Sequence, residues 1–226
     1  MFTGLIQALG TIRPLEGNYW QINCIDGASA PIMQDLAFGD SVAVNGVCLS
    51  VETILPDGFI VTASPETLQR TTLGKEETLQ ISVNLETSLR VGSKIGGHFV
   101  MGHVDGIGRL VQASKTATSW EMTFSVPHAI AHYLVPKGSI AINGISLTVA
   151  QYQPDDALLK VAVIPITYVE TNLCHLVPGS WVNLEGDILG KYVEKFITNG
   201  KVDYPTTSDS EEKQITPVFL AEHGYL

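Results

Sequence analysis

The residues best suited to chemistry in this chain come in pairs that do not match. VNGVCLSV (44–51) and INGISLTV (142–149) are near copies 98 residues apart, yet Cys48 in the first stands where Ser146 stands in the second. A thiol serves as nucleophile or acid–base group when its pKa and exposure allow, whereas a hydroxyl both donates and accepts hydrogen bonds. The ordinary alternative for Cys48 is a small buried strand residue. Ser50 and Thr148 also align, and polar side chains at matched places favour a polar pocket in each half. His103, in GGHFVMGHVDG (96–106), aligns with Leu5. Histidine exchanges protons near neutral pH; a core histidine bonded to a carbonyl is the competing reading, and the glycines around it let a ligand approach the backbone. Asp187 aligns with Ser88 and offers a carboxylate, or simply an N-cap. Thr67 and Thr167, each two residues after a proline, suit a polyol or heterocycle, or shape a turn.

Other patterns carry less. His128 and His132 have a spacing that would share a helix face, but no third metal ligand lies near them in sequence. Gly106 and Gly108 lack the third glycine and the following helix of a dinucleotide-binding turn.

The elements that must position these residues repeat as well. FTGLIQALGTI (2–12) matches VMGHVDGIGRL (100–110). FGDSVAVNGVCLSV (38–51) matches PKGSIAINGISLTV (136–149), SPETLQRTTL (64–73) matches IPITYVETNL (164–173), and VNLETS (83–88) matches VNLEGD (182–187). Two homologous domains, 1–97 and 98–187, follow. Each reads as β: runs such as SVAV and CLSV flank Asn45-Gly46, which suits a type I′ hairpin turn, and Asn143-Gly144 repeats it. GFIVTAS and LLKVAVIP are further strands, and short strands joined by Gly/Pro turns point to small antiparallel barrels. Ile188, Leu189, Tyr192, Val193, Phe196 and Ile197 then recur at helical spacing over 188–200, with Asp187 placed to cap the start and Gly200 at the end. A lone amphipathic helix needs an apolar partner, in its own domain or in other copies of the chain. Residues 201–226 read as a polar tail.

Composition narrows the function. The net charge of -10 and the lack of a basic cluster disfavour nucleic acid. No apolar run reaches the roughly 20 residues of a membrane span, and the first residues lack the basic start of a signal peptide. Cys24, Cys48 and Cys174 are an odd number without paired spacing, as expected of reduced thiols in the cytoplasm.

MFTGLIQ, VNGVCLSV, PETLQRTTLG, GGHFVMGHVDG, KGSIAINGISLTV and VNLEGDILGKYVEK, in this order from residue 1 to about 195, resemble riboflavin synthase of the alpha-chain, lumazine-binding repeat type. The resemblance implies an all-β fold of two tandem six-stranded Greek-key antiparallel barrels with a C-terminal helix that gathers three chains. It implies a transferase that needs no metal or cofactor. Two molecules of 6,7-dimethyl-8-ribityllumazine would meet between the N-terminal barrel of one chain and the C-terminal barrel of a neighbour. One would pass a four-carbon unit to the other, giving riboflavin and 5-amino-6-ribitylaminouracil. Association with lumazine synthase is a further expectation.

Carried over by position, the family's catalytic residues fall on Ser41, Cys48, His103, Ser146, Thr148 and Asp187. Its substrate-binding positions fall on Gly4, Leu5 and Ile6, on Cys48, Leu49 and Ser50, and on Thr62, Ala63, Ser64, Pro65, Glu66 and Thr67. In the second half they fall on Gly102, His103 and Val104, on Lys137, on Ser146, Leu147 and Thr148, and on Ala162, Val163, Ile164, Pro165, Ile166 and Thr167. The chain departs from the family pattern at Asn143, usually Asp, and at Tyr168, Val169, Asn172 and Cys174. The rival readings are a lumazine- or flavin-binding protein without turnover, and, with little in its favour, a flavin-dependent oxidoreductase.

Overall fold

The two Asn-Gly turns take the backbone that their sequence asks for. Asn45 and Gly46 have φ of 48° and 75°, and Asn143 and Gly144 have 47° and 78°, the left-handed pair of a type I′ turn. The first closes a hairpin between β3 (Ser41–Val44) and β4 (Val47–Leu55) in the computed structural model, which describes residues 1–25, 30–75 and 82–198. With β1 (Ala8–Pro14), β2 (Tyr19–Cys24), β5 (Gly58–Thr62) and β6 (Ser82–Thr87) it forms a closed antiparallel barrel in the order β1-β2-β5-β4-β3-β6. The second half repeats the order with β7 (Gly106–Lys115), β8 (Trp120–Ser125), β9 (Ser139–Ile142), β10 (Ile145–Gln153), β11 (Leu158–Val163) and β12 (Trp181–Gly186). These are the two expected Greek-key barrels, and closure removes exposed strand edges. Both lie in one compact unit, Met1–Lys191.

Period-two alternation decides which side chains fill each barrel. Along β4, Val47, Leu49 and Val51 are buried while Cys48 and Ser50 face outward; along β10, Ile145, Leu147 and Val149 are buried while Ser146 and Thr148 face outward. Phe59, Val61 and Leu85 complete one interior, and Leu159, Val161 and Leu184 occupy the matching places in the other. The side chains of candidate residues Leu49 and Leu147 therefore point into the barrel interiors, and those of their neighbours point outward.

Short helices join the strands: α1 (Ala30–Met33), α2 (Pro65–Arg70), α3 (His128–Ala131) and α4 (Pro165–Val169). The last, α5 (Ile188–Thr198), follows β12 directly and none of its residues is buried. Asp187 caps it, its Oδ1 accepting from Leu189 N at 3.0 Å. The proposed end at Gly200 and the tail 201–226 lie outside the described residues. α3 is only four residues long, so His128 and His132 do not share a sustained helix face.

The barrels meet across a seam with approximate twofold symmetry. Gly46 and Gly144 lie back to back: a Cβ on Gly46 would sit 2.6 Å from Gly144 N, and one on Gly144 would sit 2.7 Å from Gly46 N. Beside them, Asn84 Nδ2 donates to Asn143 O and Asn183 Nδ2 donates to Asn45 O, each at 2.9 Å. Asn172 breaks the symmetry, donating to Asn45 Oδ1 and accepting from Asn84 Nδ2. These asparagines are buried and paired, as buried polar groups must be. Phe2, Ala43, Val100 and Ala141 form a separate apolar cluster in the same seam.

Candidate functional site

The chain ahead of each barrel crosses to the other one. Phe2 and Val100 form an antiparallel bridge, with Phe2 N donating to Val100 O at 2.7 Å and His98 N donating to Thr3 O at 3.1 Å. This short ladder lies between the barrels, and its ends feed opposite faces. Gly4 O accepts from Ser146 N on β10 at 2.8 Å, while Gly102 O accepts from Cys48 N on β4 at 2.9 Å. Both glycines need their lack of a side chain. Their φ values are +76° and +79°, and a Cβ would strike Ser146 Cβ at 2.6 Å in one case and Cys48 Cβ at 2.5 Å in the other.

Two outward-facing sites result, each built from both halves of the chain. The first gathers Cys48 and Ser50 on β4, Ser41 opposite Ser50 on β3, Thr62 on β5, and Gly102 with its neighbour His103. The second gathers Ser146 and Thr148 on β10, Ala162 on β11, and Gly4 with its neighbour Leu5. Ser50, His103, Leu5 and Thr148 are exposed, so both faces are shallow and open. Ile6 and Val104, the next residues along the crossing segments, are half-buried. Lys137 is exposed at φ 71°, where the first barrel has Gly39.

Flanking these faces, α2 and α4 follow Ser64 and Ile164, and each begins on a proline, Pro65 or Pro165. Ser64 caps α2 by accepting from Thr67 N, and its hydroxyl lies 2.9 Å from that of Thr67. Thr67 thus has structural work alongside any contact with ligand. The two helices differ in character. α2 exposes Glu66, which pairs with Arg70 at 2.9 Å, whereas Ile164, Ile166 and Val169 on and beside α4 are 59%, 63% and 62% exposed. Ala63 and Val163 are buried just before the helices.

The second site contains a residue that the repeat alignment passed over. His98 Nδ1 lies 2.7 Å from Ser146 Oγ, and the histidine is 8% exposed. Burial holds its imidazole below the usual pKa, and the nearby Asp187 carboxylate pulls the other way. His98, Ser146 and Asp187 thus form one polar group. One buried atom in each site has no hydrogen-bond partner among the described residues: Thr62 Oγ1 in the first and His98 Nε2 in the second. Such atoms are costly unless a ligand or water completes them.

Two buried carboxylates hold the crossing segments. Glu86 on β6 accepts from Thr3 N at 2.7 Å, Thr3 Oγ1 at 2.6 Å and Gly4 N at 3.0 Å. Glu185 on β12 accepts from Met101 N at 2.6 Å and Gly102 N at 3.0 Å. Burial raises the pKa of Glu86 against these hydrogen bonds. It pushes Glu185, which has one donor fewer, up to about 7 although Lys191 opposes the shift.

The departures from the family pattern mostly have structural reasons. Tyr168 stacks on Trp120, with ring centroids 3.9 Å apart. Asn172 joins the seam, and the Cys174 thiol donates to Thr171 O at 3.3 Å. A cavity of about 700 Å³ lies beside Thr87, Ser88, Arg90 and Lys94, and it meets the candidate residues only at Leu5 and Ile6. A smaller one, about 210 Å³, reaches Ser41. Neither takes in Cys48 or Ser146.

The chain is similar to known proteins in sequence and in fold. The lumazine binding domain family matches twice, over residues 3–88 and 101–187. The riboflavin synthase of Actinobacillus pleuropneumoniae is 38% identical, and that of Bacillus subtilis 33%, each over all of both chains. The riboflavin synthase of Mycobacterium bovis is 40% identical over 87% of this chain and 98% of its own. In fold, the chain is similar to LumP complexed with riboflavin, with a TM-score of 0.72 and 23% identity over 82% of this chain and 99% of that one. LumP complexed with 6,7-dimethyl-8-(1'-D-ribityl) lumazine gives a TM-score of 0.69 at 22% identity over the same shares. Two lumazine-binding repeats, each a barrel with its own polar face, and full-length similarity to curated enzymes place this chain in the riboflavin synthase family.

Proposed function

We propose that the chain performs the dismutation after which its relatives are named. Two molecules of 6,7-dimethyl-8-ribityllumazine bind, one on each kind of barrel face, and a four-carbon unit passes between them to give riboflavin and 5-amino-6-ribitylaminouracil. The observation that carries the reading is the pair of homologous faces with unequal polar groups: Cys48 and His103 on one, His98, Ser146, Thr148 and Asp187 on the other. A reaction between two copies of one substrate needs one pocket shape twice and two chemical roles.

The faces that work together belong to different chains. Within one chain, Gly4 lies opposite His98 on the ladder, and Gly102 lies four residues further along. The apolar seam of Phe2, Ala43, Val100 and Ala141 lies beside these anchors. Reacting atoms must approach to about 3–3.5 Å. As the resemblance to riboflavin synthase implies, the first barrel of one copy faces the second barrel of another, in a homotrimer joined through α5. Tyr192, Val193, Phe196 and Ile197 on that helix are 56–76% exposed and need covering.

Catalysis is then largely proximity, worth about 7–11 kcal/mol for two well-aligned reactants. Ser146, Thr148 and Asp187 polarise the lumazine on the second barrel, with His98 holding the Ser146 hydroxyl. Ser41, Cys48 and His103 act from the first barrel, where Cys48 and His103 assist proton transfer between the partners. The substrate's C7 methyl has an anion delocalised over the ring, so a modest base is sufficient. The protein acts in the cytoplasm and needs no cofactor in this scheme.

Equilibrium binding tests the two-site arrangement. Titration with a non-reacting lumazine analogue is expected to saturate at two ligands per chain, and saturation at one per chain would favour a carrier that uses a single barrel.

A further inference from the structure

Glu86 and Glu185 occupy the same place in the repeated VNLE sequence, yet neither serves the barrel that carries it. Glu86 lies on β6 of the first barrel, opposite Ala43 of β3. All three of its hydrogen bonds go to Thr3 and Gly4, and the Gly4 carbonyl then holds Ser146 N of the second barrel. Glu185 lies on β12 of the second barrel, opposite Ala141 of β9. Its bonds go to Met101 and Gly102, and the Gly102 carbonyl holds Cys48 N of the first barrel. Each chain of contacts runs from a buried carboxylate on one barrel, through two backbone N–H groups of a crossing segment, to the site strand of the other.

The chemistry of the segments explains why a carboxylate is used. Near Gly4 and Gly102 the backbone takes positive φ and leaves the ordinary ladder, so adjacent N–H groups point the same way and find no carbonyl. A carboxylate has two oxygens spaced to accept two such donors, and charge strengthens the bonds. Both glutamates are 2–3% exposed, so water does not compete. Asp105 and Lys191 complete the surroundings of Glu185: Lys191 Nζ bonds Asp105 Oδ1 at 2.6 Å, and Asp105 Oδ2 accepts from Gly186 N.

We infer that Glu86 and Glu185 are crossed positioning residues, each fixing from one barrel the backbone that completes the lumazine site on the other. The inference rests on the two-site reading above and adds residues that touch no substrate. Loss of Glu185 disturbs the site of Cys48 and His103, and loss of Glu86 disturbs the site of Ser146 and His98. Support for each site is thus built into the other barrel.

Residue-resolved hydrogen exchange on the full chain tests this without relying on turnover. Glu185→Gln keeps the size but sets an amide N–H₂ against a backbone N–H. It is expected to speed exchange at the Cys48 amide at least tenfold and to leave the Ser146 amide within twofold. Glu86→Gln is expected to do the reverse. Thr3→Val, which removes one donor to Glu86, gives the same direction as Glu86→Gln with a smaller change and serves if that variant does not fold. Lumazine added to Glu185→Gln should still protect the Ser146 amide but not the Cys48 amide. Equal acceleration at both amides, or acceleration on the variant's own barrel, would overturn the crossed assignment. Crossed exchange without any protection by lumazine would leave that assignment standing and sink the binding reading instead.

Discussion

His103→Gln lowers kcat by about 10²-fold while changing lumazine affinity by less than about threefold, the size expected when one proton-transferring group is removed from an otherwise intact site. His103 is exposed and follows Gly102, whose carbonyl anchors Cys48 N, and the matching residue in the other half, Leu5, cannot exchange a proton. Glutamine retains hydrogen-bonding capacity without the titration, so the change isolates proton transfer. Cys48→Ser and Asp187→Asn are expected to lower kcat by about tenfold each, again more than affinity. Asparagine still caps α5, so a slow Asp187→Asn enzyme would not be explained by a frayed helix. Steady-state rates with direct binding measurements separate the two effects. Full rates in all three variants would remove the assigned roles.

Gly46→Ala is expected to cost about 4 kcal/mol, at the exceptional end for a single substitution. A methyl group there meets Gly144 N at 2.6 Å and Gly144 Cα at 2.8 Å, and backbone cannot turn aside as a side chain can. The barrels would have to separate, stretching the Asn84–Asn143 and Asn183–Asn45 bonds across the seam. The positive φ adds its own penalty of about 1 kcal/mol. Gly39→Ala supplies the control. Gly39 has φ +85°, but a Cβ there meets nothing within 4 Å, so only the conformational penalty remains. Thermal unfolding should fall by about 10 °C in Gly46→Ala and by about 3 °C in Gly39→Ala. Equal shifts would show that the close approach of the turns carries no weight.

The repeat made the barrels readable because each strand keeps its inward residues in both copies: Val42 with Ile140, Leu49 with Leu147, Val51 with Val149. The Asn-Gly turns were readable because few other residues accept two successive positive φ values. Cys48, Ser50, Ser146 and Thr148 stood out in the sequence as matched polar positions, and the alternation of β4 and β10 turns them outward. What the sequence does not display is the crossing. Leu5 and His103 align perfectly well as counterparts, but the ladder between Phe2 and Val100 sends each to the opposite barrel, and no local pattern encodes that pairing. His98 was passed over because its counterpart in the first half would precede Met1. The two glutamates did leave a signal, a charged residue repeated at the end of VNLE in both halves, whose burial demands fixed partners. Tyr168, a departure from the family pattern, stacks on Trp120.

The central claim is that the two unequal faces perform one reaction between two copies of one substrate. Purified, chelator-treated protein is incubated with 6,7-dimethyl-8-ribityllumazine without oxygen or added cofactor, and products are followed by absorbance and chromatography. One riboflavin and one 5-amino-6-ribitylaminouracil for every two lumazines consumed is the predicted result. Lumazine bound but returned unchanged would contradict the claim and leave a carrier built on an enzyme's fold.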